Sequence, residues 1–139
     1  MDIKIIKIRT KSANEKGSLS FLEASKDIDF EIKRFYYTYG ATVNTQRGGH
    51  AHRTLRQILF CPYGEIKIIL DDGLERAEIL LDSPEKGLIV EERMWHEMIW
   101  LKENSVLCVA ASDWYEESDY IRNYDEFIAF LKNEARDED

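Results

Sequence analysis

From Ile3 to Ser112 the chain is a succession of short β-branched and aromatic runs, each closed by Gly, Pro, Asn or Asp. That rhythm restricts the fold more than any other feature. The runs are Ile3–Ile8, Ser18–Glu23 (SLSFLE), Ile32–Tyr39 (IKRFYYTY), Ile58–Cys61, Glu65–Leu70, Arg76–Leu81, Leu88–Val90, Trp95–Trp100 and Ser105–Ser112. Between them stand Asn14 and Gly17, Pro62-Tyr63-Gly64, Asp72-Gly73 and Asp82–Gly87 (DSPEKG), all turn formers by composition. Strands of this length and spacing indicate a sandwich or jelly roll. The period changes only at the carboxyl end. From Asn123 onward, Tyr124, Phe127, Ile128 and Leu131 recur at i, i+3, i+4 and i+7, which predicts an amphipathic helix with Asn123 as N-cap and Glu126 in the first turn.

With 139 residues, no linker, no repeat and no low-complexity segment, residues 1–139 are expected to form a single domain. The net charge of −8 and the lack of a basic block argue against nucleic acid as a partner. Much of the acidity lies in the tail Glu134–Asp139, which reads as a solvated segment. Cys61 and Cys108 each sit inside an apolar run and are expected to be buried free thiols. The opening MDIKIIKIRT has no signal-peptide core, and no apolar stretch approaches the ~20 residues that cross a membrane. A cytoplasmic protein without a membrane partner is the expectation.

The chemistry concentrates in Arg47–Gly64, RGGHAHRTLRQILFCPYG. On a strand His50 and His52 share a face and sit roughly 6–7 Å apart, close enough to serve one site. Neutral imidazoles near pH 7 suit proton transfer. Gln57, an odd number of residues from His52, reaches the same face only if a bulge or turn intervenes near Thr54. The spacing H-x-H, four residues, Gln, six residues, Gly is similar to the first cupin motif. The metal-binding form of that motif carries Glu where Gln57 stands, and a neutral amide is a weak ligand for a divalent ion. Gly87, Arg93 and His96 resemble a degraded second cupin motif, with Arg93 where proline is usual.

Three further groups bear on function. Arg47, beside the histidines, offers a planar fork for a phosphate or sugar oxygen. Arg34 and Tyr36 share one face of their run, and Lys33, Phe35 and Tyr37 share the other. The segment ASDWYEESDYIRNYD, containing Arg122, is short, aromatic and acidic, a composition suited to presenting binding residues from a loop.

Taken in order, KRFYY, RGGHAH, LDSP at Leu81–Pro84, GLIV at Gly87–Val90, WHEM and ASDWYEESDYIRNYD resemble the sugar 3,4-ketoisomerases of the WxcM-like cupin family over about residues 16 to 130. The resemblance implies an all-β, cupin-type jelly roll (double-stranded β-helix) with the C-terminal helix added. It implies a homodimer without a metal or other cofactor. The implied substrate is thymidine diphosphate (dTDP) 4-keto-6-deoxyglucose, whose keto group moves from carbon 4 to carbon 3 through an enediol, for aminosugar and surface polysaccharide synthesis. His50 is then the base and His52 the second acid/base or the group that orients the sugar oxygens. Arg34, Tyr36, Arg47, His96 and Arg122 are expected to bind substrate. Lys16, standing where an arginine is common in the relatives, is expected to contact the sugar with a point charge in place of a fork. Two other readings of the same residues are a metal-dependent cupin oxygenase or isomerase and a non-catalytic cupin that binds nucleotide sugar.

Overall fold

The computed structural model describes residues 1–137, so the last two residues of the tail Glu134–Asp139 lie outside the described residues. Twelve strands and one helix appear in the order β1 (Lys4–Lys7), β2 (Arg9–Ser12), β3 (Ser18–Phe21), β4 (Arg34–Thr38), β5 (Gln46–His52), β6 (Gln57–Tyr63), β7 (Ile66–Asp71), β8 (Arg76–Leu81), β9 (Lys86–Val90), β10 (Trp95–Trp100), β11 (Val106–Ala111), β12 (Tyr120–Ile121) and α1 (Tyr124–Asp137). Ten strands form two five-stranded antiparallel sheets, β1-β9-β6-β11-β4 and β12-β5-β10-β7-β8, and β2 pairs β3 as a separate hairpin. This is the expected all-β jelly roll with a C-terminal helix.

Alternation drives the closure. Inward residues of both sheets, among them Leu59, Ile66, Ile68, Leu81, Leu88, Trp100, Leu107 and Val109, form one buried core between the layers. The two thiols, Cys61 and Cys108, are free and buried, and burial raises both above their ordinary range, Cys61 to about 11. On the opposite side of the β5–β10 sheet, α1 covers Ala51, Trp95 and Ile121 with Phe127, Ile128 and Leu131. Burial of a side chain such as Phe127 is worth roughly 1.5–3 kcal/mol. The helix opens as its sequence predicts: the Glu126 N–H donates to Asn123 Oδ1 at 3.0 Å. Because Ala51 and Trp95 face the helix, His50, His52 and His96 are turned the other way, into the sandwich.

Two boundaries differ from the sequence expectation, and a third turn is wider than two residues. The run Ile3–Ile8 does not continue as one strand. Ile8 is buried with its N–H on the Glu85 carbonyl (2.7 Å), and from Arg9 the chain leaves the sheet to pair with Ser18–Phe21. Pro62 and Tyr63 close β6 and are not the turn itself. The β9 partner ends its pairing at Phe60 opposite Gly87, so Pro62 needs no N–H there. The Asp72-Gly73 hairpin takes a four-residue loop, in which Asp72 Oδ1 accepts from the N–H groups of Leu74 and Glu75.

Candidate active site

The site is set by a β-bulge in β5. His50 stands opposite His96 of β10, but the next pairing is Gly48 with Glu97 and then Arg47 with Met98, so Gly49 is the extra residue. Gly48 and Gly49 both have left-handed φ, +81° and +76°. A Cβ on Gly48 would lie 2.7 Å from Met98 Sδ and 2.9 Å from the His96 carbonyl oxygen. The inserted residue reverses the parity of the strand. Arg47, three residues from His50, would otherwise point to the helix side; the bulge brings it onto the histidine face opposite Met98. Replacing Gly48 with Ala combines an unfavourable φ with a backbone clash. A loss of about 1–3 kcal/mol is expected, read as a Tm lower by roughly 5–10 °C; an unchanged Tm would show that the bulge tolerates a side chain.

A cavity of about 350 Å³ opens over this face, lined by Arg34, Tyr36 and Thr38 of β4, Arg47, Gly48 and His50 of β5, Met98 of β10, and Tyr115, Tyr120 and Arg122. Five of the eight expected site residues therefore meet in one place: Arg34, Tyr36, Arg47, His50 and Arg122. Two of the arginines lie against rings. Arg34 sits 5.3 Å over Tyr36 and 5.4 Å over Tyr115, and Arg122 sits 4.3 Å over Tyr120. Arg122 also holds Glu117 through two N–H donors at 2.8 and 2.9 Å, and this contact, together with Tyr115, keeps Glu117 down at about 2. Nε of Arg34 and Nδ1 of His50 are buried with no hydrogen-bond partner among the described residues.

Behind His50 the other two histidines close the cluster, with ring centroids 5.1 Å (His52) and 4.5 Å (His96) from it. Burial lowers all three. It takes His50 to about 2, helped by the neighbouring His96, His52 and Arg122, and takes His96 to about 4. His52 is lowered too, but Asp119 opposes the shift. All three are therefore neutral at pH 7. Tyr36 is raised to about 12, first by burial and then by Tyr120, against the pull of Arg34 and Arg47.

His96 does not line the cavity, contrary to its expected role in binding substrate. It is 1% exposed, and a chain of contacts fixes it. Its Nδ1 lies 3.1 Å from the Met94 carbonyl and its Nε2 3.4 Å from Gln57 Nε2, while Tyr36 OH donates to Gln57 Oε1 at 3.4 Å. A donor facing Met94 leaves Nε2 to accept from the Gln57 amide. Gln57 reaches the site because the chain turns at Arg53–Thr54 from one sheet to the other, as the odd spacing requires. One ring nitrogen from each of His50, His52 and His96 lies within 4.8 Å of the others, an arrangement that invites a divalent ion. The set fits one poorly: the His96 lone pair is engaged by Gln57, and Gln57 supplies an amide where a carboxylate would stand.

Lys16 is not brought to the cavity. It lies exposed at the end of a 3-10 turn, Asn14–Lys16, at the tip of the β2–β3 hairpin. Within one chain it is not among the residues lining the cavity, and its hairpin pairs with neither large sheet. A second cavity of about 650 Å³ lies beside the hairpin, lined by Thr10, Ser12, Ser18, Ser20, Phe35 and Phe60 among others. Glu85 is the sole charged residue among those lining it.

Sequence reasoning singled out the segment ASDWYEESDYIRNYD without naming its two closest participants. Tyr120 packs its ring on His50 (5.0 Å) and His52 (4.4 Å), and Asp119 lies 3.0 Å from His52 Nδ1. The signal was the D-Y pair preceding Ile121, the short strand β12 that pairs with His52 and Ala51.

Known proteins resemble this chain over nearly its whole length. The family model described as FdtA, WxcM-like, C-terminal, matches residues 1–132. A TDP-4-oxo-6-deoxy-α-D-glucose-3,4-oxoisomerase from Aneurinibacillus thermoaerophilus is 44% identical over 131 residues, 94% of either chain. The crystal structure of a 3,4-ketoisomerase from Helicobacter canadensis superposes with a TM-score of 0.91 at 42% identity, covering 95% of this chain and 98% of that one. The 3,4-ketoisomerase QdtA from Thermoanaerobacterium thermosaccharolyticum, a histidine-to-asparagine mutant in complex with TDP-4-keto-6-deoxyglucose, superposes with a TM-score of 0.90 at 39% identity over 94% of both chains.

Proposed function

Because this chain belongs to the FdtA, WxcM-like family, we propose that it is an isomerase that moves the keto group of dTDP-4-keto-6-deoxyglucose from carbon 4 to carbon 3. The observation that carries this reading is a neutral imidazole, His50, with a buried unpartnered nitrogen, facing a cavity rimmed by Arg34, Arg47 and Arg122.

The reaction removes a proton from carbon 3 and returns one to carbon 4. His50, neutral at rest, takes the carbon 3 proton; the C–H electron pair becomes the C3=C4 bond, and the carbonyl electrons move onto oxygen 4. The low basicity of His50 in the free protein comes from burial and positive neighbours. A substrate bearing a diphosphate and a developing enediolate reverses that balance, because negative charge beside an imidazolium favours it. The arginine forks bind phosphate oxygens in pairs and supply fixed positive charge for the enediolate. When the proton passes from oxygen 3 to oxygen 4 and the imidazolium protonates carbon 4, the 3-keto sugar results and His50 is neutral again.

Incubation with dTDP-4-keto-6-deoxyglucose in deuterated water after exhaustive chelation, followed by NMR, tests this. The expected outcome is a 3-keto product carrying deuterium, with the rate unaffected by the chelator. Bound but unchanged sugar would favour a non-catalytic cupin, and activity restored only by iron or zinc would favour a metal-dependent one.

We place residues 1–139 in one domain that works in the cytoplasm, in the supply of aminosugars for surface polysaccharide. No helix among the described residues is long and apolar enough to cross a membrane. The working form is a homodimer built on the β1–β4 sheet. Phe35 and Tyr37 of the edge strand β4 and Tyr39 just beyond it form a ladder, ring centroids 6.1 and 5.6 Å apart and each more than half exposed. At the opposite edge Ile3 and Ile5 are also exposed. Apolar edges of this kind are rarely left uncovered. Light scattering is expected to give twice the chain mass at micromolar concentration; the mass of one chain would remove the dimer.

A further inference from the structure

Resting on the isomerase reading, we propose that Asp119 is a positioning residue for the reaction: it fixes His52 with its proton on Nδ1 and its lone pair on Nε2, and it is the anion beside the histidine cluster that supports the proton His50 takes from the sugar. The carboxylate is clamped. Asp119 Oδ1 accepts from the Thr54 N–H at 2.8 Å and from the Thr54 hydroxyl at 3.0 Å, and Oδ2 lies 3.0 Å from His52 Nδ1. The two turns that carry these residues are interlocked as well. The Arg53 N–H donates to the Asp119 carbonyl at 3.0 Å, and Arg53 Nε donates to the Ser118 carbonyl at 3.1 Å.

An ionised carboxylate only accepts hydrogen bonds, so the His52 nitrogen facing it must carry the proton and Nε2 must hold the lone pair. The ionised form is favoured: burial pushes Asp119 up, but the two Thr54 donors and His52 outweigh it and hold the carboxyl below its ordinary value. With His52 only 2% and Asp119 14% exposed at their side chains, water does little to scramble this choice. Nε2 lies on the side of the ring away from Asp119, and one ring nitrogen of His52 lies within 4.8 Å of those of His50 and His96. His96 has no N–H to spare for it, since its Nδ1 faces the Met94 carbonyl and its Nε2 the Gln57 amide, and the His50 ring lies beside that of His52 at 5.1 Å between centroids.

The other charged groups acting on His52, Arg34 and Arg122, oppose positive charge there. Asp119 is thus the anion that offsets the imidazolium formed when the carbon 3 C–H bond breaks, its electron pair enters C3=C4, and the proton moves to His50. His52 does not line the cavity, so it acts through His50 and not on the sugar.

The test is Asp119→Asn, whose amide can donate to Nδ1 and so force the proton to Nε2. In the wild-type protein, ¹⁵N NMR of the imidazoles is expected to show Nδ1–H at His52, with a switch to Nε2–H in the variant. With dTDP-4-keto-6-deoxyglucose, kcat is expected to fall about a hundredfold or more while KM stays within about twofold, since the arginines are untouched. Asp119→Glu should recover part of kcat, and Thr54→Val, which keeps the carboxylate, should keep Nδ1–H with a smaller loss. An Nε2–H tautomer in the wild type overturns the proposal whether or not the protein turns over the sugar. A rise in KM at constant kcat, or no recovery by Glu in a folded variant, overturns it equally. Should Asp119→Asn fail to fold, the wild-type tautomer and Thr54→Val decide between the same two outcomes. A wild type with Nδ1–H and no turnover defeats the functional reading and leaves the tautomer assignment standing.

Discussion

Replacing His50 with asparagine is expected to lower kcat about a thousandfold or more while both sheets and α1 stay in place. Asparagine cannot take up and return a proton near pH 7, and a positioned acid–base group contributes roughly 10²–10⁴ in rate. The fold should tolerate the change. His50 Nδ1 has no hydrogen-bond partner to lose, and His50 belongs to neither the core between the sheets nor the one beneath the helix. Binding should persist because the arginine forks are untouched; a relative carrying a histidine-to-asparagine change has been solved with the keto sugar bound. Calorimetry with the nucleotide sugar and a thermal melt separate the cases. Turnover within tenfold of wild type in a folded His50→Asn protein would move the base elsewhere, and loss of binding together with activity would make His50 a binding group.

Much of the fold was legible because its signals are local. The Asp72-Gly73 hairpin, the i, i+3, i+4, i+7 pattern of α1 and the period-two face shared by Arg34 and Tyr36 each follow from residues close in sequence. What escaped depends on distant partners. Ile8 continues an apolar pattern yet ends a strand, because Glu85, far along the chain, claims its N–H. Arg47 was placed at the site by nearness to His50, whereas its side chain arrives there only through the Gly48–Gly49 bulge, visible once β10 is paired alongside. Gln57 read as a missing carboxylate; in the folded chain it joins Tyr36 to His96 and takes the lone pair a metal would need. Asp119 lay inside a segment already marked as functional, but its acceptor role depends on Thr54 and His52, more than sixty residues away. Lys16 was carried by resemblance alone, and one chain does not bring it to the cavity.

Lowering the pH from 7 to 5 is expected to cost the fold on the order of 2–4 kcal/mol, a large share of a typical domain's stability. The cause is the histidine cluster. Burial holds His50 at about 2 and His96 at about 4 in the folded chain, against 6.5 for an ordinary imidazole. For a base whose folded value is depressed, the unfolded chain binds the proton first. The folded state is therefore fully favoured above pH 6.5 and loses ground as pH falls below it. At pH 5 the solution lies about 1.5 units below the unfolded value of each group, which is worth roughly 2 kcal/mol per group. Water at the cavity reduces the His50 share, whereas His96 is fully enclosed and keeps its own. His52 shifts in the same direction, with Asp119 limiting it. Glu91, held at about 2 chiefly by Arg56, starts to lose its contribution only below its ordinary value of 4.5, so it does not enter this window. Urea unfolding at pH 7 and pH 5 reads the difference as a shift in midpoint at constant slope. In His50→Asn the same pH change should cost less, because one of the depressed imidazoles is gone. Equal midpoints at the two pH values in the wild type would mean that the cluster takes up protons as freely folded as unfolded, and the account of its neutrality would fail.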